Sequence, residues 1–141
     1  MSASSADIAA HVKALTWGET GAAQEAAAKA LEELSRDDAN KVAIVEAGGI
    51  KPLVMLVEQG YKEAAETLGN LAMKDDIAVK IAEADGIMPL MYLFQGEDKS
   101  AKKSAVAALA YMAGNDAVAV KIAQAGAVGP LAWEAYYGIR D

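Results

Sequence analysis

Apolar residues along the chain recur at helical intervals and never settle into the strict alternation of a strand. Ala27, Ala30, Leu31 and Leu34 follow offsets of three, four and seven. Ala64, Leu68 and Leu71 repeat that spacing, as do Ala105, Ala108, Leu109 and Met112. Each set defines one face of a long helix. Small alanines on that face predict close approach to a neighbouring helix of the same kind. Between these sets, Leu53 to Val57 and Leu90 to Phe94 run apolar without a break. Such runs predict short helices enclosed on several sides, a buried layer.

A repeated phrase places these helices in order. It reads Ala47-Gly-Gly-Ile-Lys-Pro-Leu53, then Ala84-Asp-Gly-Ile-Met-Pro-Leu90, then Ala125-Gly-Ala-Val-Gly-Pro-Leu131, with prolines 37 and then 41 residues apart. Nine residues before each opening alanine stands an aspartate, Asp38, Asp75 or Asp116, expected to cap a short first helix. Gly49, Gly86 and Gly126 are expected to end that helix, and Pro52, Pro89 and Pro130 to open the next after a sharp bend. A unit that cannot bury its apolar face alone must stack on its neighbours, so this period predicts a solenoid.

The pattern resembles the armadillo repeat, a three-helix unit, through Gly-Ile-Lys-Pro-Leu53, Ala64-Ala65 and Leu68-Gly-Asn-Leu-Ala72, and again through Gly-Ile-Met-Pro-Leu90 and Ala107-Ala-Leu-Ala-Tyr-Met-Ala113. The resemblance covers nearly the whole chain and implies an all-α, right-handed armadillo-type superhelix of about three and a half repeats in one domain, 1–141. The repeats fall near 7–38, 39–75, 76–115 and 116–141. The first lacks its short helix, carries His11 at the proline position and looks like an amino-terminal capping half. The second is four residues shorter, a loss expected in the loop around Gly60-Tyr61. The fourth stops after its second helix and leaves Leu131, Trp133, Tyr136 and Tyr137 uncovered. Those aromatics read equally as a fragment's cut edge, a terminal cap or an oligomer contact.

Composition narrows the function. Twenty Asp and Glu against 13 Lys and Arg give a formal charge of −7, the wrong sign for a nucleic-acid footprint. With no cysteine and one histidine, the chain offers neither a thiolate nor a metal-ligand set, so neither catalysis nor a cofactor is expected. His11 reads as a packing or surface residue, and Asp37-Asp38 and Asp75-Asp76 as helix caps rather than cation ligands. No apolar run reaches the ~20 residues of a bilayer span, and nothing at the N-terminus resembles a secretory segment, so a cytoplasmic or nuclear setting is expected.

The resemblance also implies a site. Armadillo proteins as a family bind extended peptides in a groove lined by their third helices, where an asparagine side chain satisfies the peptide backbone. The corresponding positions here are Glu33, Asn70 and Tyr111, with Lys29, Glu66 and Ala107 one turn earlier, and Lys74 beyond. Only Asn70 keeps the family residue. The tryptophans of nuclear-import receptors would fall at Lys29, Glu66 and Ala107, which argues against recognition of nuclear localisation signals. Asn70 as anchor, Tyr111 as platform and the carboxylates of Glu33 and Glu66 favour a segment carrying Lys or Arg. The same carboxylates also read as a solvated face, with Glu33 paired to Lys29 and Glu66 to Lys62 or Lys74.

Overall fold

The computed structural model describes the backbone of residues 4–17 and 20–137, and side chains as far as residue 126. Among the described residues it has nine α-helices and no strand. They are α1 (Ser5–Trp17), α2 (Gly21–Leu34), α3 (Asp38–Glu46), α4 (Ile50–Glu58), α5 (Lys62–Leu71), α6 (Asp75–Glu83), α7 (Ile87–Gln95), α8 (Lys99–Met112) and α9 (Asp116–Tyr137). The long helices α2, α5 and α8 lie side by side, with α1, α4 and α7 packed behind them. One continuous core runs the length of the stack, from Ile8 and Leu15 through Leu53 and Leu68 to Met112 and Val118.

Small residues set the spacing of the layer α2, α5 and α8. Ala27, Ala28, Ala64, Ala65, Ala105 and Ala108 are all buried. At Gly69 in α5 an added Cβ would stand 3.2 Å from the Cα of Ala108 in α8, so the two backbones touch. Buried hydroxyls in this layer are satisfied within their own helices: Thr67 donates to the Glu63 carbonyl at 2.8 Å and Ser104 to the Ser100 carbonyl at 3.2 Å. Burying one leucine contributes about 1.5–3 kcal/mol, against a few tenths for an exposed ion pair, so packing holds the stack together.

The sharp bend occurs after α3 and after α6, through the same hydrogen bonds. Gly49 N–H donates to the Ile44 carbonyl and Gly86 N–H to the Ile81 carbonyl, each at 3.0 Å, closing a Schellman motif. The left-handed residue is Gly48 (φ 82°) in one and Asp85 (φ 63°) in the other. The glycine that follows is required for room rather than for φ. A Cβ at Gly49 would lie 2.8 Å from Ile44 Cγ2, and one at Gly86 would lie 2.6 Å from Ile81 Cγ2.

This requirement corrects the expectation for Gly126 and Pro130. The bend is absent there, and α9 continues from Asp116 to Tyr137 as one helix. In register with Gly49 and Gly86 the sequence has Ala127, five residues after Ile122, while Gly126 matches the tolerant position of Gly48 and Asp85.

Helix starts also differ by one residue from the expectation. Asp37, not Asp38, caps α3, accepting from the N–H groups of Ala39 and Asn40 at 2.9 and 3.3 Å. Lys74 precedes α6, and Asn115 accepts from the Val118 N–H at 3.1 Å at the start of α9. Asp38, Asp75 and Asp116 occupy first-turn positions, where they act on the helix dipole instead of capping.

The shortening of the second unit lies in its third helix. The loops before α5 and α8 are equally long, but α5 has 10 residues where α8 has 14, one turn fewer. Tyr61 fills the gap toward α2, its hydroxyl 3.5 Å from where a Cβ on Gly21 would stand. Lys62 reaches the other way and donates to Ser100 Oγ at 3.1 Å. The short helices behind are not wholly buried either. Met55 and Tyr92, three residues after Pro52 and Pro89, occupy equivalent positions and are about half exposed, at 50% and 52%.

Two stability predictions follow from these contacts. Gly86→Ala forces a Cβ against a β-branched side chain and a carbonyl. It is expected to destabilise the fold by about 1–3 kcal/mol in urea unfolding, and an unchanged midpoint contradicts the room requirement. The second concerns the buried Lys41, whose Nζ donates to the exposed carboxylate of Asp38 at 2.9 Å. That hydrogen bond, then the charges of Lys41 and Lys74, hold the Asp38 carboxyl below its ordinary value of 3.8. A lowered folded value means the contribution is full above the ordinary value and is lost as pH falls through the lowered one. The stability gap between wild type and Asp38→Asn is expected to be constant above about pH 5 and to close below 3.8. A gap that persists unchanged at pH 2 rules out this linkage.

Candidate functional site

Asn70 sits in the last turn of α5 and its side chain crosses to the end of α2. Its Nδ2 donates to Ser35 Oγ at 2.9 Å and to the Glu32 carbonyl at 3.3 Å. The Ser35 hydroxyl spends its own proton on the same Glu32 carbonyl, at 2.8 Å. Ser35 Oγ must therefore accept from Asn70, which fixes the amide with nitrogen toward α2 and Oδ1 away from it. Among the described residues Oδ1 receives no donor. Of the two ends of this amide the nitrogen is thus committed to the fold, and the oxygen is left as an acceptor.

A cavity of about 470 Å³ opens beside it between α5 and α8. Glu66, Asn70 and Tyr111 line it together, with Gly69 and Ala107 at the close helix contact. Tyr111, one of these lining residues, is 46% exposed. The remaining expected residues do not join them. Lys29 and Glu33 are exposed on α2 outside the lining, and Lys74 stands at the N-terminus of α6. In place of Glu33 the residue of α2 that lines the cavity is Glu32, because Asn70 meets α2 at the Glu32 carbonyl and the residue 32 side chain shares that face.

Sequence reasoning also missed Ser100, Lys103 and Ser104 of α8. They continue the stripe of Ala107 and Tyr111 backward at helical offsets, and extending that face would have found them.

The charges are arranged differently from either simple expectation. Neither the Glu33–Lys29 pair nor a Glu66 pair with Lys62 or Lys74 forms among the described residues. Lys62 is turned to Ser100 instead. Glu32 is the paired carboxylate: its Oε2 accepts from Arg36 Nε at 3.1 Å and from Nη2 at 2.7 Å. The hydrogen bond that Arg36 donates to Glu32, then the charge of Glu32, raise the Arg36 guanidinium above its ordinary value, with the charges of Glu33 and Glu66 adding to the same effect. Glu32 alone bonds Arg36 at the α2 side of the cavity, while Glu66 lines it from α5 and Lys103 from α8.

Among the described residues no cluster of His, Cys, Asp or Glu has metal-binding geometry, and no helix is long and apolar enough to cross a membrane. The aromatic set Leu131, Trp133, Tyr136 and Tyr137 falls at the end of α9, where side chains lie outside the described residues.

No protein-family model and no curated protein matches the sequence. Solved structures do. The chain is 34% identical to an engineered protein known from a crystal structure, with a TM-score of 0.80 over 86% of its own length. It is 27% identical, with a TM-score of 0.81 over 89% of its length, to a designed armadillo repeat protein in complex with the peptide (KR)4. It is also 27% identical, at a TM-score of 0.78 over 88% of its length, to computationally designed armadillo repeat proteins for modular peptide recognition. The chain spans about half the length of these proteins, 52% to 55%. Its helices, its stacking and this likeness together give one architecture: the chain has the armadillo-repeat-like fold, an all-α solenoid of several repeats.

Proposed function

We propose that the chain is a non-enzymatic binding module that takes an extended, basic peptide along the face formed by α2, α5 and α8. The observation that carries this reading is the cavity that Asn70, Glu66 and Glu32 line together, with Asn70 Oδ1 receiving no donor among the described residues. Acceptors suit a ligand that brings donors: backbone N–H groups for Asn70 and the cations of Lys or Arg for the glutamates. Tyr111 adds a ring on which an aliphatic stem or a guanidinium can lie. A net charge of −7 draws such a ligand in from a distance. The complex of a similar designed protein with (KR)4 supports the choice of ligand class.

Calorimetric titration with (KR)4 tests this. Asn70→Ala is expected to weaken binding by about 1–3 kcal/mol, the cost of an interaction lost in a desolvated groove. Because Asn70 also ties α5 to α2, Ser35→Ala serves as the control: it removes one of the two bonds of that tie, at about 1 kcal/mol of stability, while the Glu32 carbonyl still holds Nδ2 and leaves Oδ1 as the acceptor, so affinity should hold. Raising the salt should weaken binding in every variant. Equal affinity for Asn70→Ala and wild type, with no salt dependence, removes the basis for the proposal.

A further inference from the structure

Arg36 belongs to the turn after α2, not to the helix, and its arm folds back one helical turn to reach Glu32. Both of its bonding nitrogens converge on a single carboxylate oxygen, Oε2. The Glu32 side chain is largely covered, at 15% exposure, and lines the cavity, whereas that of Arg36 is 66% exposed on the rim. The acidic seat is therefore part of the groove and its occupant is a surface arm. A pair with one partner so exposed holds weakly, since water and salt compete for it.

We propose that Arg36 is an internal stand-in for a ligand cation: it fills the Glu32 seat in the empty groove and is displaced when a peptide side chain arrives. This inference rests on the peptide-binding reading above and adds to it a threshold and a preference. The threshold arises because a ligand must replace an existing ion pair, so a peptide carrying no cation at this position gains nothing from Glu32. The preference arises from geometry. The seat already holds a guanidinium through two N–H groups, and a ligand arginine reproduces that fork while a lysine presents a single charged point. Glu66, on the neighbouring helix and facing the same cavity, adds a second carboxylate for the incoming group and none for a neutral one.

The test is a double-mutant cycle on the intact chain with (KR)4 as the probe, using wild type, Arg36→Gln, Glu32→Gln and the double variant. Removing the stand-in is expected to tighten binding about two- to fivefold, the range set by an exposed ion pair. The same change made in the Glu32→Gln background should have no effect, because the seat itself is gone. An equal gain in both backgrounds overturns the inference and assigns the effect to bulk charge. Equal affinities in all four proteins overturn it as well, while leaving the peptide-binding reading intact. No binding of (KR)4 by any of the four removes that underlying reading. As an independent readout, the Arg36 Nε–H resonance should shift on saturation with the peptide in wild type. A resonance that stays in place while the groove fills contradicts displacement.

Discussion

The contact between the backbones of α5 and α8 is the constraint from which the rest of the molecule takes its form. A methyl group on Gly69 of α5 would stand only 3.2 Å from the Ala108 Cα, tighter than an ordinary contact. Helices that approach this closely cannot fill the space between them with large side chains, so their outer edges diverge and leave a trough. The trough is the cavity that Glu66, Asn70 and Tyr111 share. A bulkier layer of leucines in place of Ala64, Ala65, Ala105 and Ala108 would push the helices apart and flatten it. Packing density and binding geometry are in this sense the same property, measured on two sides of one helix layer.

Asn70 and Glu32 both serve the fold and line the trough. Asn70 spends its amide nitrogen on Ser35 and Glu32, which locks α5 to α2, and that commitment orients the oxygen left over. Glu32 contributes its carbonyl to the same lock and its carboxylate to the groove. Lys62 and Tyr61 span the gap left by the missing turn of α5, one toward α8 and one toward α2. A ligand reaching Asn70 would therefore meet an amide already held in place by the stack, with little rotamer freedom to surrender on binding.

Glycine, proline and alanine made the solenoid readable from the sequence, because each answers to a local rule that holds in any helical repeat. What escaped depends on distances between helices. Leu71 and Met112 correspond in the repeat, 41 residues apart, yet the backbones meet at Gly69 and Ala108, 39 apart. Correspondence of positions does not capture such a slide between neighbours, nor the lining of the cavity, which takes Glu32 from α2 and adds Ser100, Lys103 and Ser104 from α8. Caps escaped for a different reason. The three aspartates share a phase, but the residue before each differs, Asp37, Lys74 and Asn115, and only the backbone shows where the helix starts. At Gly126 the sequence holds a glycine on the wrong side of the turn, a distinction visible only once the isoleucine beneath Gly49 and Gly86 is in view.

The two bends that do form have a bearing on how the chain comes together. Each is closed by partners five residues apart, Ile44 with Gly49 and Ile81 with Gly86, and borrows nothing from a neighbouring repeat to make its hydrogen bond. Contacts so near in sequence close with little loss of chain entropy and form quickly. The corners of the two full repeats can thus be set before any helix has found its neighbour. Assembly then becomes a matter of stacking preformed angles, free to begin at either repeat and spread along the row.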